Sequence, residues 1–182
     1  MIKKKMPYRY TKTELKKLLD NITVLIDTRE NKTDHIKKYF DSKDIDYKSK
    51  KLDFGDYSFC LSELPELDIN RPIYFNDSIT IERKANLEEL SNCFAQDRQR
   101  FENELIRSQG GGAKLILLIE DGKGYEKIVN GRYNTQYNKK SFIGTLQAFR
   151  ARYGIDINFI NPKYSGNFII TLFHYYLREY LK

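Results

Sequence analysis

Five consecutive apolar residues, Leu115-Ile116-Leu117-Leu118-Ile119, stand between Gly110-Gly111-Gly112 and Glu120. Unbroken apolarity over so short a run reads as a β-strand covered on both faces, and such a strand needs a layer of helices above and below it. The flanking sequence supplies them. Asn86 to Gln109 carries Leu87, Leu90, Phe94, Phe101 and Leu105 at helical spacing. Lys140 to Tyr153 reads as a helix stopped by Gly154, Ile155 to Ile160 as a further strand, and Ser165 to Leu181 as a long terminal helix.

The first half is richer in strands. Thr11-Lys12-Thr13-Glu14 reads as a capping box opening a short helix. Strands are expected over 22–27, 45–53, 57–61, 73–75 and 78–82, with a helix over 34–42 and a loop over 62–72. Strands alternating with helices imply an α/β domain with a central mixed sheet and helices on both faces. The organisation expected is a basic arm and short helix over residues 1–21, then one domain over 22–182.

The net charge of +7 favours a polyanionic partner, nucleic acid first. No apolar stretch approaches the ~20 residues of a membrane span, and Met1-Ile2-Lys3-Lys4-Lys5 lacks the apolar core of a signal peptide. The expectation is a cytoplasmic protein. Cys60 and Cys93 are the only cysteines, and with His35 and His174 they form no zinc-ligand spacing.

Three acids mark the chemistry. Asp27 ends Val24-Leu25-Ile26, Asp56 sits in Gly55-Asp56-Tyr57, and Glu82 opens Glu82-Arg83-Lys84 after Ile79-Thr80-Ile81. On a strand, Glu82 and Lys84 share a face and Arg83 takes the other. With Asp56 converging, two carboxylates can hold Mg²⁺ and leave positions for water and a phosphate oxygen. Asp27 would add a third carboxylate, directly or through water. Lys84 would position the water or stabilise charge on the phosphorane, and Arg29 would hold a flanking phosphate.

Asp27-Thr28-Arg29-Glu30, Gly55-Asp56-Tyr57 and Glu82-Arg83-Lys84, followed by Asp97-Arg98-Gln99-Arg100-Phe101 and Glu104-Leu105, resemble the nuclease domain of the XPF-type structure-specific endonucleases. That family belongs to the restriction-endonuclease-like superfamily. The resemblance covers roughly residues 22–182. It implies metal ligation by Asp27, Asp56 and Glu82, a catalytic role for Lys84 with Arg83 beside it, and Mg²⁺ as cofactor, with Mn²⁺ as substitute. The cut would leave 5′-phosphate and 3′-hydroxyl ends. The family's last motif acid is usually aspartate; here the position holds Glu88, with Glu89 beside it. The chain ends soon after the nuclease-domain helix, as in a stand-alone bacterial or phage-like form.

The function expected is a metal-dependent DNA endonuclease acting on branched, flapped or junction DNA in repair, recombination or phage DNA metabolism. The alternatives are a catalytically silent DNA-binding or scaffold subunit, and an RNA-processing nuclease using the same site. Arg98, Arg100, Lys139 and Lys140 are further candidates for phosphate contacts, and Tyr133 and Tyr137 for stacking on bases. The terminal helix is apolar nearly all round, which suits burial or a subunit interface. The resemblance favours a homodimer through it.

Overall fold

The reason the first strand starts where it does lies one residue earlier. The computed structural model describes residues 9–182, and the basic run Lys3-Lys4-Lys5 lies outside the described residues. Helix α1 (Lys12–Asp20) opens on the capping box: Thr11 Oγ1 accepts from Glu14 N, and Thr11 N donates to Glu14 Oε2. It ends at Asn21, whose side chain donates to Ser62 O and ties the start of β1 (Ile22–Ile26) to the end of β3 (Tyr57–Leu61). Leu18 of α1 is fully buried in the same cluster as β1, so α1 packs into the main core instead of standing apart.

The remaining elements are α2 (Asp34–Asp41), β2 (Tyr47–Ser49), β4 (Ile73–Tyr74), β5 (Ile79–Lys84), α3 (Leu87–Phe94), α4 (Arg98–Gly110), β6 (Lys114–Ile119), α5 (Gly124–Asn130), α6 (Lys139–Tyr153), β7 (Asp156–Phe159) and α7 (Ser165–Leu181). The strands form one mixed sheet in the order β2-β1-β3-β5-β6-β7, with β4 pairing β3 beside β5. β1 and β2 are parallel, β3 is antiparallel to β1, β4 and β5, and β5, β6 and β7 run parallel. The doubly covered strand is β6, with Leu115 to Ile119 all buried.

The two faces of the sheet are filled differently. On one, Val24, Ile26, Phe59, Ile81, Ile116 and Leu118 meet α1, α2 and α7, with Phe59 stacked on Phe75 at 4.5 Å and tilted against Phe173 at 5.1 Å. On the other, Leu115, Leu117, Ile119 and Ile157 meet α3, α4 and α6, around Phe94 and Phe149 at 5.2 Å. That second layer stops at β5. Beyond it, on β1 and β3, the same face holds only the small cluster Leu25, Leu52 and Cys60.

Three elements differ from the sequence reading. The helix expected over 86–109 is two, because the chain turns at 95–97, where Asp97 N donates back to Asn92 O. The second strand is only three residues long, because Leu52 N leaves the ladder for the Asp27 carboxylate. β5 runs on through Lys84, in register with β6 as far as Ile119. Among the described residues no helix is long and apolar enough to cross a membrane.

Helix α7 is not apolar without purpose. Ile169, Phe173, Leu177 and Leu181 are buried in the core, and the opposite side borders an apolar groove of about 620 Å³ lined by Phe159, Ile160, Phe168, Leu172 and Tyr175.

Candidate active site

The site is set by strand parity. Tyr57 and Ile81 are paired across β3 and β5 and point into the α1–α2–α7 layer. Their neighbours Asp56 and Glu82, and Lys84 two residues on, therefore point to the other face. The Gly55-Asp56 turn is locked against β5. Asp56 N donates to Ile81 O at 2.7 Å, and Arg83 N donates to Asp56 Oδ2 at 2.8 Å. Gly55 has φ +72°, and a Cβ there would lie 2.9 Å from Thr80 Cβ, so only glycine lets the turn sit this close. Gly55 N donates to Glu104 Oε1 at 3.0 Å, which brings α4 to the site.

Lys84 Nζ donates to Glu82 Oε1 at 2.5 Å, and its ammonium lies 5.5 Å from the Phe101 ring centroid. Both residues are buried, at 8% and 6% exposure. Burial pushes the Glu82 carboxyl up, Lys84 opposes it, and Glu104 adds to the rise, leaving it at about 7. Burial, then Glu82 and Glu30, hold Asp56 well above the usual carboxylate range, although it accepts the Arg83 N–H. Burial would lower the Lys84 pKa, but Glu82 outweighs it and the amine stays protonated. The thiol of Cys93 sits beside this amine and is pushed up chiefly by burial.

The residue set expected from the sequence is built differently in two places. Asp27 is brought alongside, its N–H donating to Asp56 O at 2.8 Å, and its carboxylate is taken up by Arg29 and the Leu52 N–H. One oxygen accepts from Arg29 Nε at 2.6 Å and Arg29 N at 2.9 Å, the other from Leu52 N at 2.6 Å and Arg29 Nη2 at 3.2 Å. Burial alone would raise its pKa; Arg29 and the Leu52 N–H instead hold it below the usual range. Glu88 turns to the 131–137 loop, where Oε1 accepts from Asn134 N, and Glu89 accepts from Ala85 N and so caps the start of α3. The ion-pair partner of Lys84 is Glu82.

Arg83 lies on the opposite face. Its guanidinium donates to Glu120 Oε2 at 2.6 Å and Glu30 Oε1 at 2.7 Å, and Glu120 Oε1 meets His35 Nε2 at 2.6 Å. This chain of hydrogen bonds ties the ends of β5 and β6 to the loop after β1 and to α2. Its acids were legible only as strand-end or motif acids: Glu120 closes its apolar run as Asp27 closes its own, and Glu30 ends Asp27-Thr28-Arg29-Glu30. Glu104 was legible only as part of Glu104-Leu105 in the family resemblance, not as a neighbour of Gly55, because its place depends on the turn at 95–97.

The candidate phosphate contacts are spread out. Arg29 keeps its side chain 64% exposed despite pairing Asp27, and Asp56 and Glu104 lie within its electrostatic reach. Arg98 pairs Glu102 along α4 at 3.2 Å, and Arg100 is exposed on the same helix. Lys139 and Lys140 are exposed at the start of α6, where Asn138 caps the helix. Tyr133 and Tyr137 are packing residues instead, with rings 5.3 and 5.4 Å from Phe142 and the Tyr133 hydroxyl donating to Tyr137 O.

A hard divalent cation fits Asp56 and Glu82. Burial, before any neighbouring charge, pushes both carboxyls up, and Mg²⁺ commonly takes one or two carboxylates together with water and phosphate oxygens. Among the described residues no three His, Cys, Asp or Glu side chains form a closed metal cage.

Among curated proteins none matches the chain. Solved structures of similar fold include XPF from Aeropyrum pernix, at 21% identity and a TM-score of 0.59, covering 84% of this chain and 60% of that one. Another is XPF from Aeropyrum pernix in complex with DNA, at 19% identity and a TM-score of 0.59, covering 86% and 66%. The chain thus spans less than two thirds of either length. At these identities the likeness is one of fold, and the restriction-endonuclease-like α/β sheet expected from the sequence is the one observed. A family model for the ERCC4 domain matches residues 26–172, which include β3, β5 and all the acids above. The chain belongs to the ERCC4 domain family.

Proposed function

We propose that the chain is a Mg²⁺-dependent DNA endonuclease, with Mn²⁺ as substitute cofactor, that hydrolyses phosphodiester bonds in branched, flapped or junction DNA. The observation that carries this is the meeting of Asp56, Glu82 and Lys84 on one sheet face, where Asp56 Oδ2 accepts from Arg83 N and the charged Lys84 donates to Glu82. Asp56 and Glu82 would hold the cation, with Asp27 as the third carboxylate beside them, which in the free protein fixes Arg29 and the 50–52 segment. The cation, when bound, supplies Lewis-acid polarisation of the phosphate and a bound water of lowered pKa.

The chain's own residues do the rest. Lys84 presents a fixed positive charge where the phosphorane gains negative charge, and its seat against Phe101 limits water around it. Arg29 offers an exposed guanidinium to the neighbouring phosphate. Arg83 keeps the end of β5 in place from the opposite face.

Residues 22–182 carry the nuclease unit, working in the cytoplasm in repair, recombination or phage DNA metabolism. A homodimer forms through α7, whose groove presents Phe168, Leu172 and the 54%-exposed Tyr175. Light scattering should give twice the chain mass, and a monomer at all working concentrations would contradict it.

The test of function is digestion of end-labelled flap, fork, duplex and single-stranded DNA, with a matched RNA flap, in Mg²⁺ and in chelator. Cutting of the DNA flap or fork is expected in Mg²⁺ alone, with 5′-phosphate products. Binding without cutting in any divalent metal would favour the silent scaffold, and preferential cutting of the RNA flap would favour RNA processing.

A further inference from the structure

We propose that the part of the sheet face left uncovered beside the acids, carrying Lys48, Lys50 and Tyr74, is a platform for a single-stranded DNA segment running off the cleavage site. The proposal rests on the endonuclease reading. The α3–α4–α6 layer covers this face only over β5, β6 and β7. On β2, β1, β3 and β4 the pairings Lys48↔Leu25, Thr23↔Cys60 and Cys60↔Tyr74 put Lys48, Leu25, Cys60 and Tyr74 on one face. It is the face from which Asp56, Glu82 and Lys84 project.

No helix roofs this area among the described residues; long side chains do. Lys48 Nζ lies 5.6 Å and Lys50 Nζ 4.6 Å from the Tyr74 ring centroid, so both lysines reach across β1 and β3. Leu25, Leu52 and Cys60 lie beneath, each at most 1% exposed. The Tyr74 ring is 45% exposed, unusual for an aromatic on a sheet face. At the edge nearest the acids stands Arg29, hydrogen-bonded to Leu52 O.

The chemistry of the patch selects its ligand. Two ammoniums and a guanidinium match a polyanion, and an exposed aromatic ring between them matches an unpaired base. A flat face about 14 Å across, three strand spacings, accommodates two or three splayed bases, whereas a duplex shows no base face to stack. In the free protein the ammoniums occupy the ring. An arriving strand gives them phosphates and leaves the ring to a base.

Fluorescence anisotropy in chelator, with labelled oligo-dT and a blunt duplex of equal length, tests this. Tyr74→Ala should weaken oligo-dT binding by about tenfold and Tyr74→Phe should keep it. Lys48→Gln with Lys50→Gln should reduce the salt dependence of oligo-dT binding by about 1.4 in slope, while duplex affinity changes by less than about twofold. Should Tyr74→Ala unfold, Tyr74→Leu against Tyr74→Phe makes the same comparison. Oligo-dT binding unchanged in all variants, or falling in step with duplex binding, would overturn the platform. Metal-dependent cutting by the wild type, scored separately, judges the endonuclease reading. Cutting with unchanged variant binding sinks the platform alone, and a working platform without cutting sinks the nuclease alone.

Discussion

Asp56→Asn and Lys84→Ala should each lower DNA cleavage by about a hundredfold or more while leaving DNA binding within about twofold, and the first should also raise the melting temperature of the metal-free protein. The activity losses follow from the proposed site: one variant removes a carboxylate proposed to hold the cation, the other the ammonium seated between Glu82 and Phe101. The gain in stability follows from the same geometry. Asn keeps an oxygen to accept the Arg83 N–H but has no charge to strip of water by burial and none to face Glu82 and Glu30. Relief of that cost is on the order of 1 kcal/mol, or about 2–4 °C in a chain of this size. The sign can be checked against pH. Because the folded-state pKa of Asp56 is raised, its ionised form destabilises the fold, so the difference should be present at neutral pH and vanish as pH falls below the unfolded value of 3.8. Added Mg²⁺ should reverse the order, stabilising the wild type and leaving Asp56→Asn unmoved. Thermal melts with and without metal, beside gel assays of cleavage, measure all of this. A variant that cuts like the wild type would remove either residue from the mechanism.

The largest loss of stability is expected at Arg83. Its side chain is 4% exposed and joins Glu30 and Glu120, themselves 11% and 4% exposed. Arg83→Ala leaves two buried carboxylates without the guanidinium they share, at a cost of about 3–5 kcal/mol. Arg83→Lys should recover little, because a single ammonium cannot match two carboxylates set at the two ends of a fork. Removing the acids as well, in a Glu30→Gln, Glu120→Gln, Arg83→Met variant, should return much of the stability, since no charge then remains buried unpaired. Urea unfolding of the three variants decides. Equal stability of Arg83→Ala and wild type would mean that the charges gain as much from water as from each other.

The course of the strands was legible because burial writes itself into composition. The run Leu115 to Ile119 required two dry faces. Parity along β5 placed Glu82 with Lys84 and set Arg83 apart. What was not legible depended on contacts between distant segments. A strand-end acid looks the same whether it accepts from a neighbouring strand or from an arginine: Asp56 accepts from Arg83 N, and Asp27 from Arg29 two residues away. Glu104 reads as one more charge on a helix until the turn at 95–97 swings α4 toward Gly55. Periodicity alone joined α3 to α4, since Phe94 and Phe101 are seven apart and keep helical phase across the break. Tyr74 sits on a strand of two residues, too short to show its face; only its pairing with Cys60 does.

If Asp56 and Glu82 share one divalent cation beside Lys84, a manganese-soaked crystal of this protein, read by anomalous scattering, should show it. One strong peak is expected between the Asp56 and Glu82 carboxylates, lost in Asp56→Asn and retained in Lys84→Ala. No peak there at saturating manganese, or a peak that survives Asp56→Asn unchanged, would contradict it.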